Sequence, residues 1–249
     1  MSTKSHAETG TKAHPETGTK THPETSVSLA VSTVIFALRP NPATGLITLW
    51  LPLVKRIREP HEGKWALPGG PLTADDDLVA SAGRTLKRTT SLAPKYLEQL
   101  YAFGAVRRSP GQERVVSIVY WALVQSDEAA RAMDVGNVAW FVADDLPALA
   151  FDHNEIVEYA LWRLRNKLEY SQIAHGFLGR TFTLAELREV HEAVLRKPLD
   201  PANFRRQMIA SEAIEPTGRR LTGTSHRPPR LYRYNNAVQF ADLGPLADQ

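Results

Sequence analysis

Runs of β-branched and apolar residues alternate with short polar stretches through the first half of the chain. Runs of this kind, separated by Gly, Pro and Asn, are typical of paired strands. They predict strands over residues 27–38, 46–54, 96–103, 114–124 and 138–142. Residues 74–89 are predicted to form a helix among these strands. Several strands around one short helix favour a mixed sheet between helices.

The second half of the chain has the apolar spacing of helices. Apolar residues recur every third or fourth position from 153 to 168, which predicts an amphipathic helix that bridges two domains or two subunits, with Asp152 as its N-cap. Two further helix starts are marked by Thr183, which opens a capping-box pattern, and by Asp200, which precedes a proline. A basic loop that leads into residues 231–234 predicts a β-hairpin, so this half is interpreted as a winged helix.

Positive charge is concentrated on the winged helix. Nine basic and three acidic residues between positions 196 and 233 give a net charge of +6, so the rest of the chain carries −3 of the total +3. The second helix is expected to bury Phe204, Met208 and Ile209, which leaves its polar residues on another face. Arg, Asn and Gln read base edges, and a basic patch is the footprint of a nucleic-acid-binding domain. The predicted DNA contacts are Lys197, Asn203, Arg205, Arg206, Gln207, Arg219, Arg220, Arg227 and Arg230. A winged helix that contacts only protein is the alternative.

Composition sets the outer limits. Residues 1–26 repeat a polar octad and are predicted to form a disordered tail. The 249 residues are 43% hydrophobic and 23% charged, as in a globular protein long enough for two cores. The chain has no cysteine, which excludes disulfides and thiolate metal sites. No apolar run has the length of a membrane span or a signal-peptide core, so a cytoplasmic protein without a membrane partner is expected.

A motif over residues 69–92 indicates the chemistry of the first half. A glycine, an arginine and two aliphatic residues keep the spacing of a Nudix box, namely Gly70, Arg84, Leu86 and Leu92. The other positions differ: Asp76 stands for the first glutamate, Thr85, Arg88 and Thr89 replace the next three, and Ser91 replaces the last glycine. The segment therefore resembles a Nudix box that has lost its catalytic carboxylates.

This loss changes what the helix can bind. Positions 85, 88 and 89 share one helical face, where three carboxylates hold Mg²⁺ in a Nudix enzyme. Two hydroxyls and a guanidinium change the charge there from −3 to +1. Such a groove attracts a diphosphate directly, and a solvated Arg88 without a role is the alternative.

Three consecutive aspartates precede this helix. Asp75, Asp76 and Asp77 are interpreted as capping residues, with Thr73 and Asp76 as a capping box, because adjacent residues point apart around a helix and do not converge on a metal ion. We therefore predict no catalytic residue, no metal ligand and no required cofactor. Basic residues near the box are predicted to bind a phosphorylated ligand. They are Arg56, Arg58, Lys64, Arg84, Arg88, Arg108 and Arg114.

Both halves and the Phe-Asp-His junction between them resemble the Nudix-related transcriptional regulators of NAD metabolism, over residues 27–235. The resemblance implies an α+β fold, in which a Nudix-like mixed-sheet α/β/α sandwich is followed by a C-terminal winged helix-turn-helix domain. The expected division is a disordered tail (1–26), a ligand-sensing domain (27–150), a linker helix (151–170) and a DNA-binding domain (171–240).

The same resemblance implies a function. A homodimeric repressor of NAD biosynthesis or salvage genes is expected to bind a palindromic operator in double-stranded DNA and to respond to ADP-ribose or a related NAD metabolite. A metal-dependent Nudix hydrolase that uses Asp75, Asp76 or Asp77 is one alternative. A metabolite-sensing scaffold that binds another protein through its wing is the other.

Overall fold

The computed structural model describes residues 26–91, 96–108, 113–125, 128–129, 136–170, 173–222 and 228–235. The predicted octad tail up to residue 25 and the predicted DNA contact Arg227 lie outside these residues. Within the described ranges, no helix has the length and apolar character needed to cross a bilayer.

A seven-stranded sheet forms the first half of the protein. Its strands are β1 (Val27–Pro40), β2 (Ile47–Lys55), β3 (Trp65–Ala66), β4 (Gly69–Pro71), β5 (Tyr96–Phe103), β6 (Arg114–Val124) and β7 (Val138–Val142). The order is β3-β2-β1-β6-β5, with β4 paired to β1 and β7 paired to β2. Strands β1 and β6 run parallel and the other pairs are antiparallel, so the predicted mixed sheet is confirmed.

Helices cover both faces of this sheet. Successive side chains of a strand point to opposite faces. Val31 and Ile35 of β1 therefore pack on the side of helix α1 (Leu78–Thr90), whereas Val34 and Phe36 join the core that contains the linker helix α2 (His153–Tyr170). The result is the expected α/β/α sandwich.

The second half contains two short helices and a hairpin. Helix α3 spans Leu184–Leu195, helix α4 spans Pro201–Ala210, and strands β8 (Ile214–Arg220) and β9 (Arg230–Tyr234) form the wing. Thr183 caps α3 through both hydrogen bonds of a capping box, and the Asp200 carboxylate accepts the Asn203 N–H at the start of α4. Both helix starts are those predicted from their capping residues.

Two local expectations are wrong. Helix α1 begins at Leu78, because the Asp77 carboxylate accepts the Ala80 N–H at 2.7 Å, so Thr73 and Asp76 do not form its capping box. In α4, Ile209 is 48% exposed, whereas Phe204 is buried. The five-residue offset turns Ile209 to a different side of the helix from Phe204.

One hydrophobic core runs through both halves. Phe36 of the sheet, Leu164 of α2 and Leu187 of α3 belong to the same buried cluster. The two halves also meet at the 3₁₀ turn Ile173–Phe177, where Gly176 lies so close to Leu123 of β6 that an added Cβ would come within 2.6 Å of the leucine Cδ1. The absence of a side chain at Gly176 lets this turn approach the sheet.

We predict that Gly176→Ala lowers the free energy of unfolding by about 1–3 kcal/mol, the usual effect of overpacking a core. Gly83→Ala is the matched control, since a Cβ there meets nothing within 4 Å and Gly83 lies inside α1. The control should raise stability by roughly 0.5–1 kcal/mol because alanine favours helix. Urea unfolding of the two variants measures both effects, and equal stabilities would contradict the close approach at Gly176.

Candidate functional site

A cavity of about 430 Å³ opens beside the C-terminal end of α1, and we call it the first cavity. Its basic residues come from the end of β2, the loop after it and α1. Every charged residue in the described lining is basic, a feature that favours an anionic ligand. The lining consists of Val54, Lys55, Arg56, Ile57, Arg58, Ala66, Leu67, Gly69, Arg88, Thr89, Asn137 and Val138.

A second cavity of about 560 Å³ is also lined by residues of α1. Its lining includes the glycine that fits the Nudix box, the segment before α1 and residues of α1 itself, namely Gly70, Pro71, Thr73, Asp76, Ser81, Arg84, Thr85, Lys87 and Arg88. Arg88 lines both cavities. Its guanidinium is therefore located where a ligand in either cavity can meet it.

The threonines at the box positions are turned inward. Thr85 and Thr89 are only 7% and 6% exposed, and the Thr89 hydroxyl donates to the Thr85 carbonyl oxygen at 2.8 Å. Arg84 forms an ion pair with Asp76, so the aspartate at the first box position is neutralised. Among the described residues, no group of three or more His, Asp or Glu is arranged to hold a metal ion. This donor set does not fit Mg²⁺, which prefers several anionic oxygens.

The structure brings three of the predicted ligand residues together. Arg56, Arg58 and Arg88 all line the first cavity. Arg84 lines the second cavity and pairs there with Asp76.

The other three predicted ligand residues do not belong to the described lining of either cavity. Arg108 donates to the Asp152 carboxylate at 2.8 Å and to the Phe103 carbonyl oxygen. Arg114 donates to the Gly104 carbonyl oxygen at 3.0 Å. The backbone carbonyl oxygen of Lys64 accepts the Arg56 N–H at 2.9 Å, and the Lys64 side chain is exposed.

Sequence reasoning missed several residues of the first cavity. Lys55 immediately precedes Arg56, and its positive charge next to Arg56 and Arg58 could have indicated it as a further ligand-binding residue. Asn137 comes from a distant loop, and no local pattern marks it. Leu67 contributes through its backbone: its N–H donates to His153 Nδ1 at 2.9 Å in a buried contact.

His153 is the first residue of α2 and is 6% exposed. Burial lowers its pKa to about 4, and the positive charges of Arg108, Arg56 and His61 act in the same direction against the raising effect of Asp152. Because Nδ1 accepts the Leu67 N–H, it carries the lone pair of a neutral imidazole. Protonation of Nδ1 would break this connection between the cavity wall and α2.

The exposed face of α4 carries the predicted DNA contacts. Asn203, Arg205, Arg206 and Gln207 are all exposed, and Arg206 donates to the Asn203 side-chain oxygen at 2.6 Å. Lys197 is exposed just before the helix. Asn203, Arg206 and Gln207 are spaced i, i+3 and i+4, so they share one face of α4, a polar face of the kind that fits a major groove.

The wing adds further basic residues. Arg219, Arg220 and Arg230 are exposed at the ends of β8 and β9, and Arg220 donates to the Pro228 carbonyl oxygen at 2.7 Å. Arg233 differs, since it pairs with Glu215 across the hairpin at 2.5 Å. Among the described hairpin residues, the arginines without a carboxylate partner, Arg219, Arg220 and Arg230, thus lie at the strand ends farthest from the Arg233–Glu215 pair.

Comparison with known proteins matches both halves. The family model described as the NUDIX domain matches residues 31–160, and the one described as the NrtR DNA-binding winged helix domain matches residues 174–234. Over 197 residues, which make up 77% of each of the two chains, the protein is 33% identical to the ADPR responsive transcriptional repressor NtrR of Acinetobacter baylyi.

One solved structure and one enzyme extend this comparison. The crystal structure of Shewanella oneidensis NrtR complexed with a 27mer DNA has a TM-score of 0.70 and 32% identity, covering 83% of this chain and 93% of that chain. An ADP-ribose pyrophosphatase of Methanocaldococcus jannaschii is 33% identical over 112 residues, 45% of this chain and 66% of that enzyme. The chain therefore belongs to the NrtR family of transcriptional regulators, in which a Nudix domain is joined to a DNA-binding winged helix. The predicted family and fold are confirmed.

The low pKa of His153 predicts a pH dependence of stability. The folded pKa of about 4 lies below the ordinary value of 6.5, so the stabilising contribution is complete above pH 6.5 and is lost as the pH falls toward 4. We expect His153 to account for a loss of about 3 kcal/mol across this window. Asparagine can accept the Leu67 N–H without titrating, so His153→Asn should flatten the curve. Parallel curves for both proteins in urea unfolding between pH 7 and pH 4 would contradict the assignment.

Proposed function

We propose that the protein represses genes of NAD biosynthesis or salvage, and that ADP-ribose or a related NAD metabolite in the first cavity controls its binding to DNA. The observation that carries this proposal is the basic lining of the first cavity, on the same chain as a winged helix with an exposed basic face. The Acinetobacter relative, named as ADPR responsive, supports the choice of ligand.

The chemistry of the first cavity suits a nucleoside diphosphate. Guanidinium groups bind phosphate oxygens with paired hydrogen bonds, and Arg56, Arg58 and Arg88 offer three of them around one space. Ile57 and Val138 add apolar surface for the less polar parts of the ligand. A volume of about 430 Å³ falls in the range of cavities that hold small ligands.

We further propose that the cavity binds its ligand without hydrolysing it. A Nudix enzyme holds Mg²⁺ on carboxylates at the box positions. Here three of those positions carry Arg88, which is exposed, and Thr85 and Thr89, which are buried. Arg88 supplies positive charge at that place. A ligand that survives binding can hold a conformational equilibrium for as long as it is present, as a sensor requires.

For DNA, we propose that α4 enters a major groove, with Asn203, Arg205, Arg206 and Gln207 at bases or phosphates. The wing residues Arg219, Arg220 and Arg230 then contact the backbone, together with Lys197 and the predicted contact Arg227. Two copies of the chain are proposed to read the halves of a palindromic operator in the cytoplasm. The 27mer DNA bound by the Shewanella relative supports this arrangement.

A mobility-shift assay tests the proposed function. The protein should retard a duplex from the upstream region of an NAD biosynthesis gene of the same organism but not a scrambled duplex. Because ligand and DNA are proposed to favour different arrangements of the chain, saturating ADP-ribose should weaken the specific complex. Equal binding to both duplexes would contradict the repressor.

Ligand binding by Arg88 is tested by calorimetry with ADP-ribose in EDTA. Arg88→Ala should weaken binding roughly 10- to 100-fold, since hydrogen bonds to charged groups contribute about 1.5–3 kcal/mol. Arg107→Ala is the matched control, because Arg107 is an exposed arginine whose described ion pair is with Glu155. An equal affinity for the wild type and Arg88→Ala would exclude Arg88 from the site.

The similarity to an ADP-ribose pyrophosphatase gives the hydrolase alternative a direct test. We expect ADP-ribose incubated with the protein and Mg²⁺ or Mn²⁺ to be recovered intact, by chromatography of the nucleotide. Turnover that disappears in Asp76→Ala would instead establish an enzyme with a displaced metal site.

A further inference from the structure

The wall of the first cavity is connected to the first turn of the linker helix. Leu67 lines the cavity and donates its N–H to His153 Nδ1 at 2.9 Å, with both residues buried. The Ala150 N–H donates to the Trp65 carbonyl oxygen at 2.8 Å. The chain that enters α2 is therefore attached to the strand that forms the cavity wall.

Arg56 makes a second connection of a different kind. It lines the first cavity, and its guanidinium carbon lies 4.7 Å from the centroid of the Phe151 ring, just before α2. Its Nε donates to the Pro60 carbonyl oxygen at 2.8 Å, which orients the guanidinium. The His61 ring packs edge-on against the same Phe151 ring, with centroids 4.8 Å apart. One cation is thus shared between the cavity and the start of the helix.

The backbone at this contact is strained. Phe151 has φ 56° and His61 has φ 68°, both in the left-handed region. Bulky residues keep this conformation only where surrounding contacts hold it, and such residues occur often in switch regions. Phe151 is also 42% exposed, so the surrounding core does not enclose its ring. Its position depends on the His61 ring, on the His153 ring, whose centroid lies 5.3 Å away, and on the Arg56 guanidinium.

The far end of α2 is attached to the winged helix. Arg165 donates through Nε to the Val194 carbonyl oxygen of α3 at 2.9 Å. Its Nη2 also donates to both carboxylate oxygens of Asp144, at 2.7 and 2.9 Å. A displacement at the start of this packed helix is therefore passed on to α3.

We propose that Phe151 is a positioning residue that couples occupancy of the first cavity to the placement of the linker helix and, through it, of the winged helix. The inference rests on the proposed function and adds the route by which ligand and DNA communicate. A diphosphate in the cavity draws the Arg56 guanidinium away from the ring, because charge-assisted hydrogen bonds to phosphate are stronger than a cation–ring contact. Phe151 loses this contact, and the start of α2 moves.

This route meets the thermodynamic requirement for coupling. A ligand shifts an equilibrium only if it binds the two arrangements with different affinity. Here the ligand competes with Phe151 for Arg56 in one arrangement and not in the other. Without the Phe151 ring, the ligand binds both arrangements with the same affinity. Removal of the ring should therefore reduce the coupling between ligand and DNA, while the ligand still binds.

The test measures DNA affinity of the full chain by fluorescence anisotropy, without and with saturating ADP-ribose, on the duplex retained in the mobility-shift assay. The wild type should lose roughly 5- to 150-fold in DNA affinity with the ligand, the usual range of allosteric coupling. Phe151→Leu should reduce this ratio to less than about threefold, while ADP-ribose binds at least as tightly as it does to the wild type because the ring no longer competes for Arg56. Phe151→Tyr, which retains the ring, should respond as the wild type does.

Trp140→Leu is the matched control, because its ring lies at the same 4.7 Å from an arginine guanidinium, that of Arg39, but packs on the α1 side of the sheet; its ratio should equal that of the wild type. If Phe151→Leu is unfolded, Phe151→Asn replaces it, since asparagine also lacks the ring and adopts the left-handed conformation of position 151 readily. A wild-type ratio in either variant would overturn the coupling role, and so would loss of ADP-ribose binding, which would place Phe151 in the ligand site itself. A wild type that binds DNA equally with and without ADP-ribose would overturn the proposed function as well.

Discussion

Burial of the linker helix α2 against the sheet is the interaction on which the rest of the structure depends. Ile156, Ala160 and Leu164 are fully buried, in a core that continues from Phe36 of the sheet to Leu187 of the winged helix. Each large apolar side chain removed from water contributes about 1.5–3 kcal/mol. Separation of the two halves would expose several of them at once. Any change between states is therefore confined to a small shift of a packed helix.

Polar contacts then fix the helix along the sheet. Lys167 is 3% exposed, and its Nζ lies 3.0 Å from a carboxylate oxygen of Glu98. A shift of the helix along the sheet would separate the two groups and leave the buried ammonium without this partner, which would strongly destabilise the fold. Arg165 and His153 hold the remaining length through Asp144 and the backbone of the cavity wall. The stacking of Arg56 on Phe151 differs from these contacts, because an anion in the cavity competes for the same cation. The sensitivity of the molecule to a ligand is thus located at a contact whose aromatic ring is 42% exposed.

Features that depend on neighbours in sequence could be predicted. Thr183 and Asp200 signal helix starts because a cap involves only the next few residues. Asp77 could not be chosen among three consecutive aspartates, since Arg84 engages its neighbour Asp76 in an ion pair.

For the candidate site, nearness to the box motif was enough to select Arg56, Arg58 and Arg88. It could not exclude Arg108 from the cavity lining, because its partner Asp152 lies 44 positions away, and it could not reveal the contact of Leu67 with His153 across 86 positions.

Amide hydrogen exchange of the full chain with and without ADP-ribose, in EDTA, tests the central claim most directly. The account predicts altered exchange both in the cavity wall over residues 54–69 and in the first turns of α2, together with the winged helix. Changes confined to the cavity wall would contradict it.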